Sequence, residues 1–188
     1  MKIYKSIILF LTYLIFLSFN CQREENPLKP ESDTILRIYI SDYIPDWSDP
    51  MVPPPAVPPL NELNLIEEPF LTNADITNYK WSTHYITFPI SVHNKLKNWG
   101  NLLHRIFVVV AEGERIYWGK FMDDLDSGIC QNPVIRLLPR HPDGRNTIPE
   151  FLIIERAYPG YSGSQNDPDI RNDLRIYNAL KKACILLE

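Results

Sequence analysis

The chain has 188 residues, with 17 prolines against only 7 glycines and a formal charge of −4 at pH 7. Average usage runs about 5% proline and about 7% glycine, so the order is inverted, yet 45% of residues are hydrophobic and 12% aromatic, enough to pack the core of one domain. A collagen-like or low-complexity chain is excluded. So is a disulfide-built miniprotein, because three cysteines are too few. The acidic balance gives no expectation of nucleic acid, which needs clustered Lys and Arg.

Residues 1–20 differ from the rest. Lys2 and Lys5 form a short basic start, and residues 7–19 are an apolar run interrupted only by Thr12, Tyr13 and Ser18. This is the layout of a secretory signal. A spanning helix needs about 20 apolar residues, and the polar Asn20-Cys21-Gln22-Arg23-Glu24 stops the run short. An uncleaved anchor is the competing reading.

The end of the run, Leu17-Ser18-Phe19-Asn20-Cys21, resembles the lipobox of bacterial lipoproteins. It departs from the strict pattern, with Leu17 four places before the cysteine instead of three and Asn20 in place of the usual Gly or Ala; the relaxed lipobox of spirochaetes accepts a polar residue such as Asn there. The resemblance implies a signal peptide over 1–20, cleavage before Cys21, a diacylglycerol on the Cys21 thiol and acylation of the new amino terminus. It further implies an exported chain held to the bacterial cell envelope, at the outer rather than the inner membrane. Two or three acyl chains satisfy the need for more than one lipid signal. Lys2 and Lys5 leave with the signal, so the remainder is more acidic and its membrane attachment must come from the lipid.

Residues 21–34 are polar, with Pro27 and Pro30, and read as a flexible tether. A single β-rich domain is expected over 35–188. Residues 35–40 alternate Leu36, Ile38 and Ile40 on one face, a strand. Residues 45–59 hold seven prolines, which excludes helix and central strand and predicts a stiff polyproline loop. A ligand for an aromatic-grooved module is the weaker reading of that stretch.

Residues 84–92 alternate Ile86, Phe88, Ile90 and Val92, predicting a strand that Pro89 pushes to an edge or bulge. Residues 94–103 are open between short helix and loop. Residues 105–111 are apolar on both faces, as a central strand should be, and a short turn at Glu112-Gly113-Glu114 returns the chain over 115–121 as a hairpin. Two further strands are expected at 133–138 and 150–157. The C-terminus changes period: Ile170, Leu174, Tyr177, Leu180, Cys184 and Leu187 fall at helical spacing, with starts available at Asp167-Pro168 or Asn172-Asp173. The fold class is mainly β, an antiparallel β-sandwich or a sheet with a C-terminal α-helix covering it, and α+β is the alternative.

No catalytic motif is complete. Asp123-Asp124-Leu125-Asp126 lacks the ligand pattern of a calcium loop and reads as an acidic turn leaving a strand. Gly160-Tyr161-Ser162-Gly163-Ser164 lacks the last glycine of a nucleophile elbow. His84, His93, His104 and His141 show no zinc spacing. No catalytic, cofactor or metal residue is therefore assigned.

Cys130 and Cys184 remain for a disulfide in an oxidising compartment, against the reading of a free Cys130 thiol and a buried helical Cys184. Trp47, Trp99, Tyr158 and Tyr161 fall in expected loops, where they could serve a protein or glycan ligand or pin their loops to the core. The leading expectation is a non-catalytic, lipid-anchored envelope lipoprotein acting as a binding or structural module. The alternatives are a small exported hydrolase using Asp123, Asp124, Asp126 or His141, and a purely structural lipoprotein.

Overall fold

A computed structural model of the protein describes residues 35–44, 56–125, 127–138, 148–164 and 166–188. The signal segment, Cys21, the tether, Trp47, most of the proline-rich stretch, Asp126 and His141 lie outside the described residues.

The protein is mainly β, and its strands form one curled mixed sheet. Among the described residues the strands are β1 (Leu36–Ile40), β2 (Leu71–Thr72), β3 (Asn78–Lys80), β4 (Tyr85–Thr87), β5 (Ile106–Ala111), β6 (Glu114–Asp123), β7 (Val134–Leu137), β8 (Phe151–Glu155) and β9 (Leu186–Leu187). Helix α1 spans Ile90–Leu96 and helix α2 spans Leu174–Lys182. The spatial order is β2-β1-β5-β6-β7-β8-β4-β3-β9. Pairs β6–β7 and β3–β9 are parallel and the others antiparallel. Of the two expected arrangements, the single sheet with a C-terminal helix packed on it is the one formed.

Strand β5 is buried along its whole length, as its two apolar faces require. Phe107, Val109 and Ala111 point into the main core with Leu36, Ile38 and Ile40 of β1 and Ile176, Ala179 and Leu180 of α2. Tyr79 of β3 and Ile86 of β4 join the same core, so the curl brings both ends of the sheet around one apolar centre. On the opposite face, Ile106, Val108 and Val110 pack against Val57, Leu60, Leu63 and Leu65. The chain leaving the proline-rich stretch thus forms a strap over the outer face of β1, β5 and β6. Arg115 fastens it, donating to the carbonyls of Leu60 at 2.8 Å and Leu63 at 2.7 Å.

The β5–β6 hairpin turns through Glu112 and Gly113, at φ 50° and 87°. Positive φ at both central residues matches the turn type whose twist suits a two-residue hairpin. Further along β6, Gly119 sits opposite Phe107. A Cβ at Gly119 would lie 2.2 Å from the Phe107 ring and 2.3 Å from the Pro133 carbonyl oxygen, so the ring and the neighbouring strand occupy the space a side chain would need.

Two expectations are corrected. The strand expected over 84–92 stops at Thr87, and Ile90 and Val92 belong to α1. Pro89 is the N-cap of that helix at φ −70°; lacking an N–H it cannot extend the ladder, but its ring geometry suits a helix entrance. The strand it ends is not an edge, since β4 lies between β8 and β3. The open stretch 94–103 begins with the end of α1 and a 3-10 turn at Lys97–Trp99. The second correction concerns α2. Asp173 caps it, accepting the Arg175 N–H, but the buried face is Ile176, Ala179 and Leu180, while Leu174 is 72% exposed. The helix ends at Lys182, so Cys184 and Leu187 lie beyond it, and Leu187 is in strand β9.

Candidate binding surface

Because β6 and β7 are parallel, the chain leaving Asp123 must travel back along the sheet before β7 can begin. It returns across the outer face. Asp123 Oδ1 accepts the Leu125 N–H at 3.0 Å, an Asx turn that starts the reversal. Asp124 pairs with Arg136 of β7, whose guanidinium also meets Glu155 of β8 at 3.3 Å and lies 5.6 Å from the Tyr158 ring centre. Cys130 then packs with Met122, Val134 and Tyr158. Reciprocal backbone bonds of 2.9 and 2.8 Å tie Cys130 to Tyr158.

The chain leaving β8 folds against itself. The Arg156 guanidinium lies 3.6 Å from the centre of the Tyr161 ring, and Arg156 Nη2 donates to the Asp167 carbonyl at 2.7 Å. Tyr161 donates its hydroxyl to Asp167 Oδ2 at 2.9 Å, which also accepts the Ser164 N–H at 2.9 Å. That bond to the carboxylate raises the Tyr161 phenol above its ordinary range. Gly163 lies against the same ring: a Cβ there would stand 2.6 Å from Tyr161 Cε1 and 2.5 Å from Asp167 Oδ2. Ser162 links the loop to the crossover, its Oγ donating to Gln131 Oε1 at 2.8 Å and its N–H at 3.1 Å. A loop with joined ends, packed by its own side chains, is of the Ω type.

The surface these two loops make exposes Leu125 at 77%, Ile129 at 75% and Tyr161 at 37%. Its charged groups are largely committed to one another, and Ser162 bonds an amide oxygen, which cannot act as the general base a serine nucleophile needs. The arrangement offers contact area held in one shape.

The residues expected to bind are thus divided. Tyr158 and Tyr161 are brought together on this loop pair. Trp99 is not with them, because it packs on the main core with its ring edge-on to Phe70 at 5.8 Å. Trp47 lies outside the described residues. Cys130, expected to pair with Cys184, is buried in the outer-face cluster with Met122 and Val134, its Sγ 3.5 Å from the Asn132 carbonyl. Of the carboxylates considered for hydrolysis, Asp123 and Asp124 are engaged as described, while Asp126 and His141 fall outside the described residues. Among the described residues no group of three His, Cys, Asp or Glu side chains is placed to hold a metal ion, and no helix is long and apolar enough to cross a membrane.

A buried polar cluster went unread in the sequence. His84, only 3% exposed, shares a hydrogen bond of 2.9 Å between its Nδ1 and the Tyr79 hydroxyl. Beside it Arg171 grips Asp169 through Nε at 2.9 Å and Nη2 at 2.5 Å and donates from Nη1 to the Ile154 carbonyl at 2.5 Å. Burial, reinforced by the Arg171 charge and opposed by Asp169, lowers the His84 pKa to about 4. Burial alone would raise Asp169, but hydrogen bonds from Arg171 hold it below the usual carboxylate range. Burial pushes the phenols of Tyr79 and Tyr117 up. Residues so distant in the chain carry no local signal of their meeting. Comparison with protein-family models, curated proteins and solved structures finds no match to this chain.

Proposed function

We propose that this chain is a non-catalytic lipoprotein of the bacterial cell envelope, anchored through acyl chains on Cys21, whose β-rich domain binds a protein or glycan. The observation that carries the proposal is Cys21 standing one residue after an apolar run of signal length that follows a basic start. Residues 21–34 are polar and carry Pro27 and Pro30, which supports a flexible tether that sets the reach of the domain from the lipid. The outer membrane is the proposed site. The loops of 124–132 and 156–167 are the proposed contact region, and their internal bonds support that assignment: a loop ordered before binding loses less conformational freedom on binding.

Mass spectrometry of the mature amino-terminal peptide tests the anchor. The peptide should begin at Cys21 and carry a thioether-linked diacylglycerol, and Cys21→Ala should move the chain from the detergent phase to the aqueous phase. An unmodified Cys21 thiol overturns the proposal. For the ligand, full-length protein carrying Tyr161→Ala together with Ile129→Ser should lose retention on envelope protein or glycan that holds the parent chain. Equal retention of both chains removes these loops as the contact region.

A further inference from the structure

We propose that His84 is an acid-operated release for the C-terminal strand, so that β9 and the turn at Ile170–Asn172 come free together while the rest of the sheet stays folded. The geometry begins with β3. Tyr79 of β3 and Trp81 just after it hold the imidazole and the C-terminus at the same time. Tyr79 bonds His84 through its hydroxyl and donates its backbone N–H to the Ile185 carbonyl at 2.7 Å. Trp81 lies edge-on to His84 at 5.5 Å, donates its N–H to the Leu187 carbonyl at 2.8 Å, and meets Tyr177 of α2 at 5.2 Å. Any displacement of the imidazole therefore reaches β9 through two adjacent backbone bonds and α2 through one aromatic contact.

The groups facing His84 decide what a proton does there. From β3 comes the Tyr79 phenol, and from β6 the buried Tyr117 phenol lies in the same cluster. The turn at Ile170–Asn172 and its N-cap supply the Arg171 cation and the Asp169 anion. Tyr177 of α2 stands behind Trp81. Strand β8 presents backbone, with the Ile154 N–H donating to the His84 carbonyl at 3.1 Å and the Ile154 carbonyl accepting from Arg171. A charged imidazole would be the second of two cations sharing the single Asp169 carboxylate. Burying an ion so poorly compensated is costly. The least costly escape is to hydrate the site by letting go of what closes it.

Beyond these contacts, Ile185 anchors the segment in the main core and the Tyr177 hydroxyl donates to Glu188 at 3.2 Å, while β9 itself is short. Strand β9 is two residues long, lies at the end of the sheet and pairs only with β3 among the described strands, and Leu187 is exposed. Short edge elements open at lower free energy than a central strand such as β5.

Hydrogen exchange of the full-length chain at pH 7 and pH 4.5 tests the proposal, each rate corrected for its intrinsic pH dependence. Peptides covering 169–177 and 184–188 should exchange faster by more than about tenfold at pH 4.5, while peptides of β5 and β6 keep their protection. His84→Asn removes the titrating ring and tolerates the φ of 51° at this position; its C-terminal peptides should exchange alike at both pH values. A uniform loss of protection across β5, β6 and β9, no acceleration at β9, or an acid response in His84→Asn equal to that of the parent would each overturn the release.

Discussion

At the residue scale, single atoms decide whether a position tolerates change. Gly119 allows the Phe107 ring to lie across β6, where it also meets Tyr117 and Phe121 edge-on at 6.4 and 5.5 Å. A methyl group there must displace a fully buried ring or the Pro133 carbonyl, and overpacking of this kind costs about 1–3 kcal/mol. Gly160 provides the contrast, since nothing lies within 4 Å of a Cβ built on it. Urea denaturation should therefore show Gly119→Ala with a clearly lower midpoint and Gly160→Ala within about 0.5 kcal/mol of the parent. Equal midpoints for the two variants would mean that the Phe107–Gly119 approach is not a close one.

At the element scale, the parts legible in the sequence are those whose pattern is long and whose ends are marked. Strands β5 and β6 were readable because six consecutive apolar residues meet a turn built from Glu112 and Gly113, where local chemistry and burial agree. Strand β4 with α1 is ambiguous in sequence because Ile86, Phe88, Ile90 and Val92 alternate as a strand does, while Val92 and Leu96 also satisfy a helical spacing. Pro89 chose between them by being unable to donate to the sheet. Strands β2, β3 and β9 have two or three residues each, too few for any period to show. Of the candidate surface, composition marked the loop bearing Tyr158 and Tyr161. It could not mark the pinning of Trp99 to Phe70, which depends on a partner 29 positions earlier in the chain. The stapled loop makes a prediction of its own. Gly163→Ala forces a methyl into Tyr161 and Asp167, so limited proteolysis should cut within 160–164 several-fold faster. The thermal midpoint should move by less than about 2 °C, because an exposed loop opens locally without unfolding the core. Unchanged cleavage would show that the ring, hydroxyl and carboxylate do not hold the loop.

At the scale of the whole molecule, the buried cluster of His84, Asp169, Tyr79 and Tyr117 gives the stability a definite pH window. His84 has a folded pKa of about 4 against an ordinary 6.5. Unfolded chains then bind the proton more readily between those values, so stability is whole above about pH 6.5 and falls as pH drops toward 4, by about 3 kcal/mol for a gap of this size. Asp169 is held below its ordinary 3.8, so its contribution is present above that value and is lost on further acidification. Tyr79 and Tyr117 have the opposite sign: their raised phenols favour the folded state below about pH 10, and that advantage disappears as the medium becomes more alkaline. The expected curve of unfolding free energy against pH is a plateau bounded near 6.5 and 10, with an acid limb that starts two pH units earlier than carboxylates alone would place it. His84→Asn separates the contributions. It should flatten the limb between pH 6.5 and 4 and leave the alkaline limb in place, whereas Tyr79→Phe, which removes a titrating hydroxyl and the partner of the imidazole, should move both. Chemical denaturation at half-unit pH steps reads all three chains, and parallel curves for the parent and His84→Asn would show that the acid limb belongs to groups other than His84.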